Sequence, residues 1–411
     1  MVKKLFIFFL TLGIITSVVT GYSIWQYNLP LVSPLALIEN YFAPLPPVNK
    51  IVYGFFPYWN LKYADRLHIK DLTHFAYFSL SLNIDGSAEK KVNSRELEPG
   101  WNKLHSLELD RILYQSKLLN QKTVLTVTAM EPEIIAGILN SDTNQETALT
   151  SILEIYIEKK FDGINIDFES VSSPDKNTRD NFTHFINKLK TRCLTIKNSC
   201  EVDVDIFADS ARRNRLYDLS ALSPVVDHFV VMTYDYYRKS SAQAGPIAPL
   251  RGACPKPVGF AQIMEPPQGC LEQDITTNLS EIAAFIPSQK IILGIPFYGY
   301  EWQTTTTDFL ANTYTGTGSL ATYQRVRSLF SDTTISSLSA TWSATTMSPY
   351  ITYQTKDDEI QQIHYEDPRS VELKIKLINS ANLGGLAIWA LGYEIPYLDI
   401  WQPISDYLNP Q

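Results

Sequence analysis

The chain has 411 residues, enough for one large domain or for two or three smaller ones. Its net charge of -8 and isoelectric point near 5.4 argue against nucleic acid or acidic polymers as partners, because phosphate binding needs clustered Lys and Arg. The 23 Tyr, 19 Phe and 7 Trp residues suit flat, amphipathic ligands such as sugars. We therefore expect a globular protein with a neutral or weakly charged ligand.

Residues 1–27 have the pattern of an export segment. Lys3 and Lys4 precede an apolar run over residues 5–19, as in the charged and apolar regions of a signal peptide. The residues after this run offer no clean cleavage site, and the apolar stretch approaches the roughly 20 residues that a membrane-spanning helix needs. The segment is therefore either a signal peptide or a membrane anchor. Both predict an extracellular or cell-surface location.

An alternation of strand-like and helix-like patterns predicts the fold of residues 48–408. They follow a linker at residues 28–47, which is too proline-rich for a helix or a central strand. Eight short apolar runs alternate with helical stretches, which favours a (β/α)8 TIM barrel. A doubly wound open sheet is the alternative, although no Gly-rich phosphate loop follows the first strand. The predicted strands are residues 51–56, 72–79, 123–129, 163–168, 202–208, 228–234, 291–296 and 385–390.

Two further features lie within this domain. Residues 303–350 are rich in Thr and Ser with little helical periodicity, which indicates an insertion or a long loop system between strands 7 and 8. The cysteines fall into two local pairs, Cys193 with Cys200 and Cys254 with Cys270. Disulfides in an oxidising compartment are the favoured reading, and four free thiols are the alternative. The spacing fits no zinc site, and we expect no metal or other cofactor.

The most informative stretch reads Phe-Asp-Gly-Ile-Asn-Ile-Asp-Phe-Glu over residues 161–169. Strand geometry puts Asn165, Asp167 and Glu169 on one face and the apolar residues between them on the other. A helical pattern lies just before it, which favours a buried strand over a solvated edge strand. Burying two carboxylates and an amide costs several kcal/mol unless they are paired or used in chemistry. In a barrel, Glu169 would lie at the carboxyl end of the fourth strand, where active sites of this fold lie.

Other predicted strand ends carry aromatic and acidic residues. Tyr234 and Asp235 end the sixth strand, Tyr298 follows the seventh, and Trp389 lies at the end of the eighth. Each aromatic residue taken alone is well explained by core packing. Their joint position around a carboxylate cluster predicts a sugar-binding site.

These residues resemble the family 18 glycoside hydrolases, the chitinases and their relatives. The family signature Asp-Gly-x-[Asp/Asn]-x-Asp-x-Glu matches residues 162–169, and Met-Thr-Tyr-Asp at residues 232–235 is similar to the family's sixth-strand motif. Residues 294–299 and 385–389 resemble its seventh and eighth strands. The resemblance spans residues 51–400 and implies one catalytic barrel.

The resemblance implies hydrolysis of β-1,4-linked N-acetylglucosamine polymers, chitin or its oligomers, by a retaining, substrate-assisted mechanism. Glu169 would be the general acid and base, Asp167 would orient the acetamido N–H, and Tyr234 would hydrogen-bond the acetamido oxygen. Trp389 would form the floor under the sugar ring. Trp59 and Trp302 would stack on further sugars, with core packing as the alternative for both. The remaining predicted substrate-binding residues are Asn165, Met232, Asp235 and Tyr298.

Several positions depart from the family pattern. Asn165 replaces a third Asp and cannot share a proton with Asp167, Thr-Val-Thr-Ala at residues 126–129 replaces Ser-x-Gly-Gly, and Tyr300 stands where an Arg often follows the seventh strand. Peptidoglycan or another glycan is therefore an alternative substrate to chitin. A non-catalytic lectin on the same barrel is a further alternative, although such proteins usually lose the acid that Glu169 represents. We expect a monomer.

Overall fold

The computed structural model describes residues 51–170, 172–254 and 270–409. The predicted signal or anchor at residues 1–27 and the predicted linker at residues 28–47 lie outside the described residues. Among the described helices, none combines the length and the apolar character that a membrane crossing requires.

Eight parallel strands close into a barrel, which confirms the predicted (β/α)8 fold and excludes the open sheet. Each predicted strand overlaps an observed one. The barrel strands are β1 (Ile51–Pro57), β2 (His74–Ser81), β3 (Lys122–Ala129), β4 (Gly163–Phe168), β5 (Glu201–Phe207), β6 (Phe229–Met232), β7 (Ile291–Pro296) and β13 (Gly385–Trp389). Around the ring their order is β1, β13, β7, β6, β5, β4, β3 and β2.

Helices between the strands cover the barrel with their apolar faces. Helix Lys176–Ile196 buries Phe182, Phe185 and Leu189, a spacing that puts them on one side, and the Asp175 carboxylate caps its first turn through the Thr178 N–H. The other α-helices are Pro99–Leu104, Leu107–Leu118, Pro132–Leu139, Asp142–Lys159, Leu219–Leu222, Ile275–Ile282, Tyr323–Ser328, Pro368–Ser380 and Gln402–Leu408. Short 3-10 helices are Tyr58–Arg66, Ser288–Lys290, Leu329–Ser331 and Asp399–Trp401.

Strand β4 is buried along its whole length, which rules out the solvated edge strand. The Phe168 ring lies 6.0 Å from that of Phe182 and 5.9 Å from that of Phe185. The Asp162 carboxylate, just before the strand, accepts hydrogen bonds from the Thr123 N–H at 2.9 Å and the Thr123 hydroxyl at 3.0 Å, and pairs with Lys197. Asp162 therefore ties the start of β4 to its neighbour β3.

The segment between β7 and β13 forms a second, five-stranded antiparallel sheet. Its strands are β8 (Tyr298–Gln303), β9 (Ser319–Thr322), β10 (Ile335–Ser343), β11 (Ser348–Thr355) and β12 (Ile360–His364). The predicted insertion is confirmed, but it is a folded sheet rather than a loop system and extends beyond residues 303–350 at both ends. Its Thr and Ser residues are compatible with strands because β-branched and hydroxyl side chains fit a half-exposed pleated surface.

Both predicted cysteine pairs are disulfides in the structure, Cys193 with Cys200 and Cys254 with Cys270. The first joins the last turn of helix Lys176–Ile196 to the residue before β5. Such links stabilise a fold by restricting the unfolded chain. The alternative of four free thiols is wrong.

Candidate active site

Four carboxylates meet at the carboxyl end of the barrel. Asp167 lies in β4, Glu169 follows it, Asp205 lies in β5, and Asp235 follows β6. All four line a cavity of about 320 Å³. Asp167 and Asp205 are buried, and Glu169 is partly exposed. The inward face predicted for β4 is therefore part of a concave site.

Burial and mutual repulsion favour protonation of this cluster. Burial, and then the charge of Asp235, raise the pKa of Glu169 to about 6, against an opposing effect of Arg238. Burial and the neighbouring Glu169 raise the pKa of Asp167 well above its usual value. The pKa of Asp205 is also raised well above its usual value, first by burial and then by the charge of Asp167. Like charges in a small buried volume cannot all ionise, so the cluster retains protons near neutrality.

Asp205 is a site residue that the sequence pattern did not predict. The Asn165 amide donates a hydrogen bond to Asp205 Oδ1 at 2.8 Å, so Asn165 is linked to the cluster through Asp205 instead of lining the cavity. Strand β5 reads Glu-Val-Asp-Val-Asp-Ile-Phe, with the same acidic alternation as β4, and this was the signal available. Among the described residues, Asn165 Oδ1 and Asp167 Oδ1 are buried without a hydrogen-bond donor. Unpaired buried acceptors are uncommon and call for a reason.

Asp235 is fixed by its backbone and by two tyrosines. Its φ of 62° is in the left-handed region, which is unusual for a residue other than glycine. The Tyr298 hydroxyl donates to Asp235 Oδ1 at 2.5 Å and the Tyr300 hydroxyl donates to the same oxygen at 3.0 Å. Both tyrosines come from β8, so the insertion supplies part of the cavity wall. Tyr300, one of the departures from the family pattern, therefore has a defined contact.

Aromatic side chains form the wall facing the carboxylates. The Trp389 ring lies 4.6 Å from Phe78, 6.0 Å from Phe55 and 6.2 Å from Trp59, between ring centroids. The Trp59 side chain is 41% exposed and its indole N–H donates to the Tyr393 hydroxyl at 3.3 Å. This wall offers an apolar face to a ring-shaped ligand.

Trp302 does not belong to the cavity. It is fully buried, and its indole N–H donates to the Lys239 carbonyl at 3.2 Å. The prediction that Trp302 stacks on sugar is wrong, because it packs in the core on the inner face of β8. The predicted residues that do line the cavity are Trp59, Asp167, Glu169, Met232, Tyr234, Asp235, Tyr298 and Trp389, and the further lining residues are Phe55, Phe78, Met130, Asp205, Phe207, Arg238, Tyr300 and Leu320.

A second cavity of about 630 Å³ adjoins the first. The two share Phe207, Met232, Tyr234, Asp235 and Arg238. The cleft therefore continues from the Trp389 wall, past the carboxylates, to the segments that follow β5 and β6.

One cluster has atoms close enough to ligate a metal. Atoms of Glu201, Asp203 and His228 lie within 4.8 Å of one another. Glu201 and Asp203 lie at the amino end of β5, away from the cavity, and His228 Nδ1 is hydrogen-bonded to Asp203 Oδ1 at 2.9 Å. Because its members are already paired, we assign this cluster a structural role.

A parallel barrel with proton-holding carboxylates and an aromatic wall at its carboxyl end defines a (β/α)8 protein with an enzyme-type site. The model of the family described as Glycosyl hydrolases family 18 matches residues 39–394, so the chain belongs to that family. This also confirms the resemblance found in the sequence motifs.

The individual relatives and solved structures share low sequence identity with this chain. The chain is 25% identical over 359 residues to a cortical fragment-lytic enzyme of Bacillus subtilis (strain 168), with 85% of this chain and 71% of that protein covered. The Ostrinia furnacalis Group IV chitinase in complex with allosamidin has a similar fold, with a TM-score of 0.71 at 17% identity, over 88% of this chain and 98% of that one. A Cycas revoluta chitinase in complex with (GlcNAc)3 gives 0.70 at 16% identity, over 87% and 99%.

Proposed function

We propose that the protein hydrolyses β-1,4-linked glycans that contain N-acetylglucosamine, with retention at the anomeric carbon and with the substrate's acetamido group as nucleophile. Glu169 carries this proposal. It lies at the end of β4 in the cavity, and its pKa of about 6 leaves it partly protonated near neutrality. A carboxylic acid that still holds its proton is what the departing glycosidic oxygen requires.

The reaction proceeds in two steps. The Glu169 carboxyl donates its proton to the glycosidic oxygen as the bond to the anomeric carbon breaks, while the acetamido carbonyl oxygen bonds to that carbon and closes an oxazolinium ring. The leaving sugar departs with a free hydroxyl. Glu169, now a carboxylate, accepts a proton from water as the water oxygen attacks the anomeric carbon and reopens the ring. The configuration is retained and Glu169 is protonated again.

Asp167 supports the acetamido group. Its Oδ1 is buried without a donor among the described residues, and the acetamido N–H is a donor that would satisfy it. The positive charge that develops on the closing ring would favour the ionised form of Asp167, and the negative carboxylate would in turn stabilise that charge. Burial raises the pKa of Tyr234 well above its usual value, so its hydroxyl stays neutral and can donate to the acetamido oxygen. Trp389 would lie under the sugar ring.

Two polymers are candidate substrates. Chitin and its oligomers are favoured by the solved chitinases whose fold the chain shares, one of them with (GlcNAc)3 bound. Peptidoglycan is favoured by the similarity to a cortical fragment-lytic enzyme. The lectin alternative is less favoured, because the proton donor is present beside Asp167 in a formed cavity.

Export belongs to the same proposal. The charged and apolar pattern of residues 1–27 supports it, and so do the two disulfides, which persist in oxidising compartments. Both polymers are extracellular substrates, so an enzyme that cleaves either would act outside the cell.

The test is to incubate the full chain with chitohexaose and, separately, with purified peptidoglycan, and to follow products by mass spectrometry beside a Glu169→Gln variant. Proton NMR at early times reads the anomer released. We expect cleavage with the β-anomer formed first, and loss of cleavage in the variant. Binding without cleavage of either polymer would favour the lectin, and an initial α-anomer would contradict retention.

A further inference from the structure

Among the residues that the structure describes, Arg238 is the cationic side chain that lines both cavities of the cleft. Its Nε donates to the Asp235 carbonyl at 3.3 Å, and its backbone N–H donates to the Ser241 hydroxyl at 2.9 Å, so the segment that carries it is anchored. The larger cavity also contains Arg213 and Arg215, but both pair with Asp209.

Arg238 differs from these two arginines. Within the part of the chain that the structure describes, its guanidinium forms no ion pair with a carboxylate, and its side chain is exposed to the cleft. It is near enough to Glu169 and Asp235 to lower the pKa of both. An exposed guanidinium held beside acidic groups without pairing to them is available to a ligand anion.

The reaction geometry indicates which part of the substrate Arg238 meets, and this step rests on the proposed function. The sugar whose anomeric carbon reacts would lie against the Trp389 wall, on one side of Glu169. The leaving sugar, which receives the proton from Glu169, would then continue into the adjoining cavity of about 630 Å³. Arg238 lines both cavities, so it would face the part of the leaving sugar nearest the broken bond.

The chemistry of a β-1,4 linkage identifies the group at that position. The leaving oxygen is O4 of the leaving sugar, so the substituent on the adjacent O3 is also close to Glu169. In chitin that substituent is a hydrogen atom. In N-acetylmuramic acid it is a lactyl ether ending in a carboxylate, and the planar fork of a guanidinium can bind a carboxylate through two parallel hydrogen bonds.

We propose that Arg238 is a specificity-determining residue that binds a carboxylate carried on O3 of the leaving sugar, so that the cleft prefers alternating N-acetylglucosamine and N-acetylmuramic acid to chitin of equal length. The net charge of -8 argued against acidic polymers, but it describes the whole surface. The guanidinium of Arg238, which forms no ion pair with a described residue, makes the cleft beside Glu169 a local exception.

The experiment compares two tetrasaccharides with the full chain: chitotetraose, and a β-1,4-linked tetrasaccharide of alternating N-acetylglucosamine and N-acetylmuramic acid with free lactyl groups. Arg238→Gln is tested beside Arg238→Lys and beside Arg95→Gln, which removes an exposed arginine that lines neither cavity. For Arg238→Gln we expect the ratio of kcat/KM on the acidic to the neutral substrate to fall about tenfold or more, mostly through KM. Arg238→Lys should recover part of it, Arg95→Gln should leave it unchanged, and added salt should reduce the difference.

The pH profile separates binding of the substrate carboxylate by Arg238 from the effect of Arg238 on the pKa of Glu169. Loss of the Arg238 charge should also raise the pKa of Glu169, which shifts the alkaline limb of the pH profile on both substrates alike and leaves the ratio intact. A ratio unchanged by Arg238→Gln would therefore overturn the proposal even if the limb moves.

Calorimetric affinity for the acidic tetrasaccharide in Glu169→Gln, with and without Arg238→Gln, tests recognition without turnover. Equal affinities would overturn the proposal. If the wild type cleaves neither substrate, the proposed function fails, and a weaker affinity in the double variant would still support Arg238 as the carboxylate-binding residue.

Discussion

The carboxylates at the two ends of the barrel differ in whether they have cationic partners. At the carboxyl end, Asp167 and Glu169 form no ion pair with a described residue, and burial is the first cause that raises the pKa of each. At the amino end, burial also acts to raise the pKa of Glu201, but the hydrogen bonds and charges of His74 and Lys122 outweigh it and lower that pKa to about 2.

A single strand, β5, contributes to both ends. Glu201 and Asp203 lie near its start, where Asp203 accepts hydrogen bonds from the His228 N–H at 3.1 Å and lies 2.9 Å from its Nδ1. Two residues further on, Asp205 belongs to the carboxylate cluster that lines the cavity. The partners, not the residue type or the strand, decide whether a buried carboxylate stabilises the fold or is held in a protonated, reactive state at a cost to stability.

Glu169→Gln should give the largest effect. We expect kcat to fall by about 10²–10⁴-fold, since the amide cannot donate a proton to the leaving oxygen, while the free energy of unfolding stays equal or increases because repulsion with Asp235 is removed. Turnover of whichever glycan the wild type cleaves and urea unfolding measure both. Glu201→Gln is the matched control at the other barrel end and should keep its kcat. Similar losses of kcat in both variants would contradict the distinction between a reactive carboxyl end and a stabilising amino end of the barrel.

Asp167→Asn should have the next largest effect. The amide is of equal size but cannot stabilise the positive charge developing on the acetamido group, so we expect kcat to fall by about 10²–10³-fold with oligosaccharide affinity largely retained. The free energy of unfolding should not fall, because the variant removes a buried group that has no cationic partner. Steady-state kinetics, calorimetric binding and urea unfolding test these points. A clear loss of stability would show that Asp167 has a structural role like that of Asp203.

The features that the sequence predicted are those decided by local periodicity. The alternation in residues 163–168 is sufficient to put Asn165 and Asp167 inside a barrel, because a strand side chain has only two directions. The sequence also predicted the eight strands, since buried parallel strands are short, continuous apolar runs.

What the sequence did not predict depends on contacts between distant segments. Trp302 and Trp59 both follow barrel strands. Trp302, in the inserted sheet, is buried in the core, whereas Trp59 is exposed in the cleft beside Trp389. Arg238 lies in a polar stretch after β6 without periodicity, and its position beside Glu169 follows from closure of the barrel. The alternating pattern of β5 could have indicated Asp205 as a site residue, but only its contact with Asn165 distinguishes it from the paired Asp203.

The amino-end pairs should appear as stability that acid removes. The pKa of Glu201 is lower in the folded protein, about 2, than its ordinary value of 4.5, so its ion pairs contribute fully above about pH 4.5 and are lost as the pH falls toward 2. At pH 7 we expect Glu201→Gln to lower the free energy of unfolding by about 2–3 kcal/mol. Urea unfolding from pH 7 to pH 3 should show the gap between wild type and variant closing. A gap independent of pH would mean that the pairs with His74 and Lys122 do not stabilise the fold.

The smallest effect, about tenfold per pH unit, concerns the activity of the unmodified protein. Only protonated Glu169 can donate, so kcat/KM should fall above about pH 6, and this limb belongs to the coupled carboxylates as a group. Asp235→Asn removes the charge that helps to raise the pKa of Glu169 and should move the limb to lower pH, whereas Glu201→Gln at the other end should leave it in place. Initial rates of the wild type and both variants from pH 4 to pH 9 measure these shifts of the limb. A profile flat to pH 8 would contradict a pKa of about 6 for Glu169. A limb moved equally by both variants would mean that the two ends of the barrel titrate as one system, and the separation of a stabilising end from a reactive end would not hold.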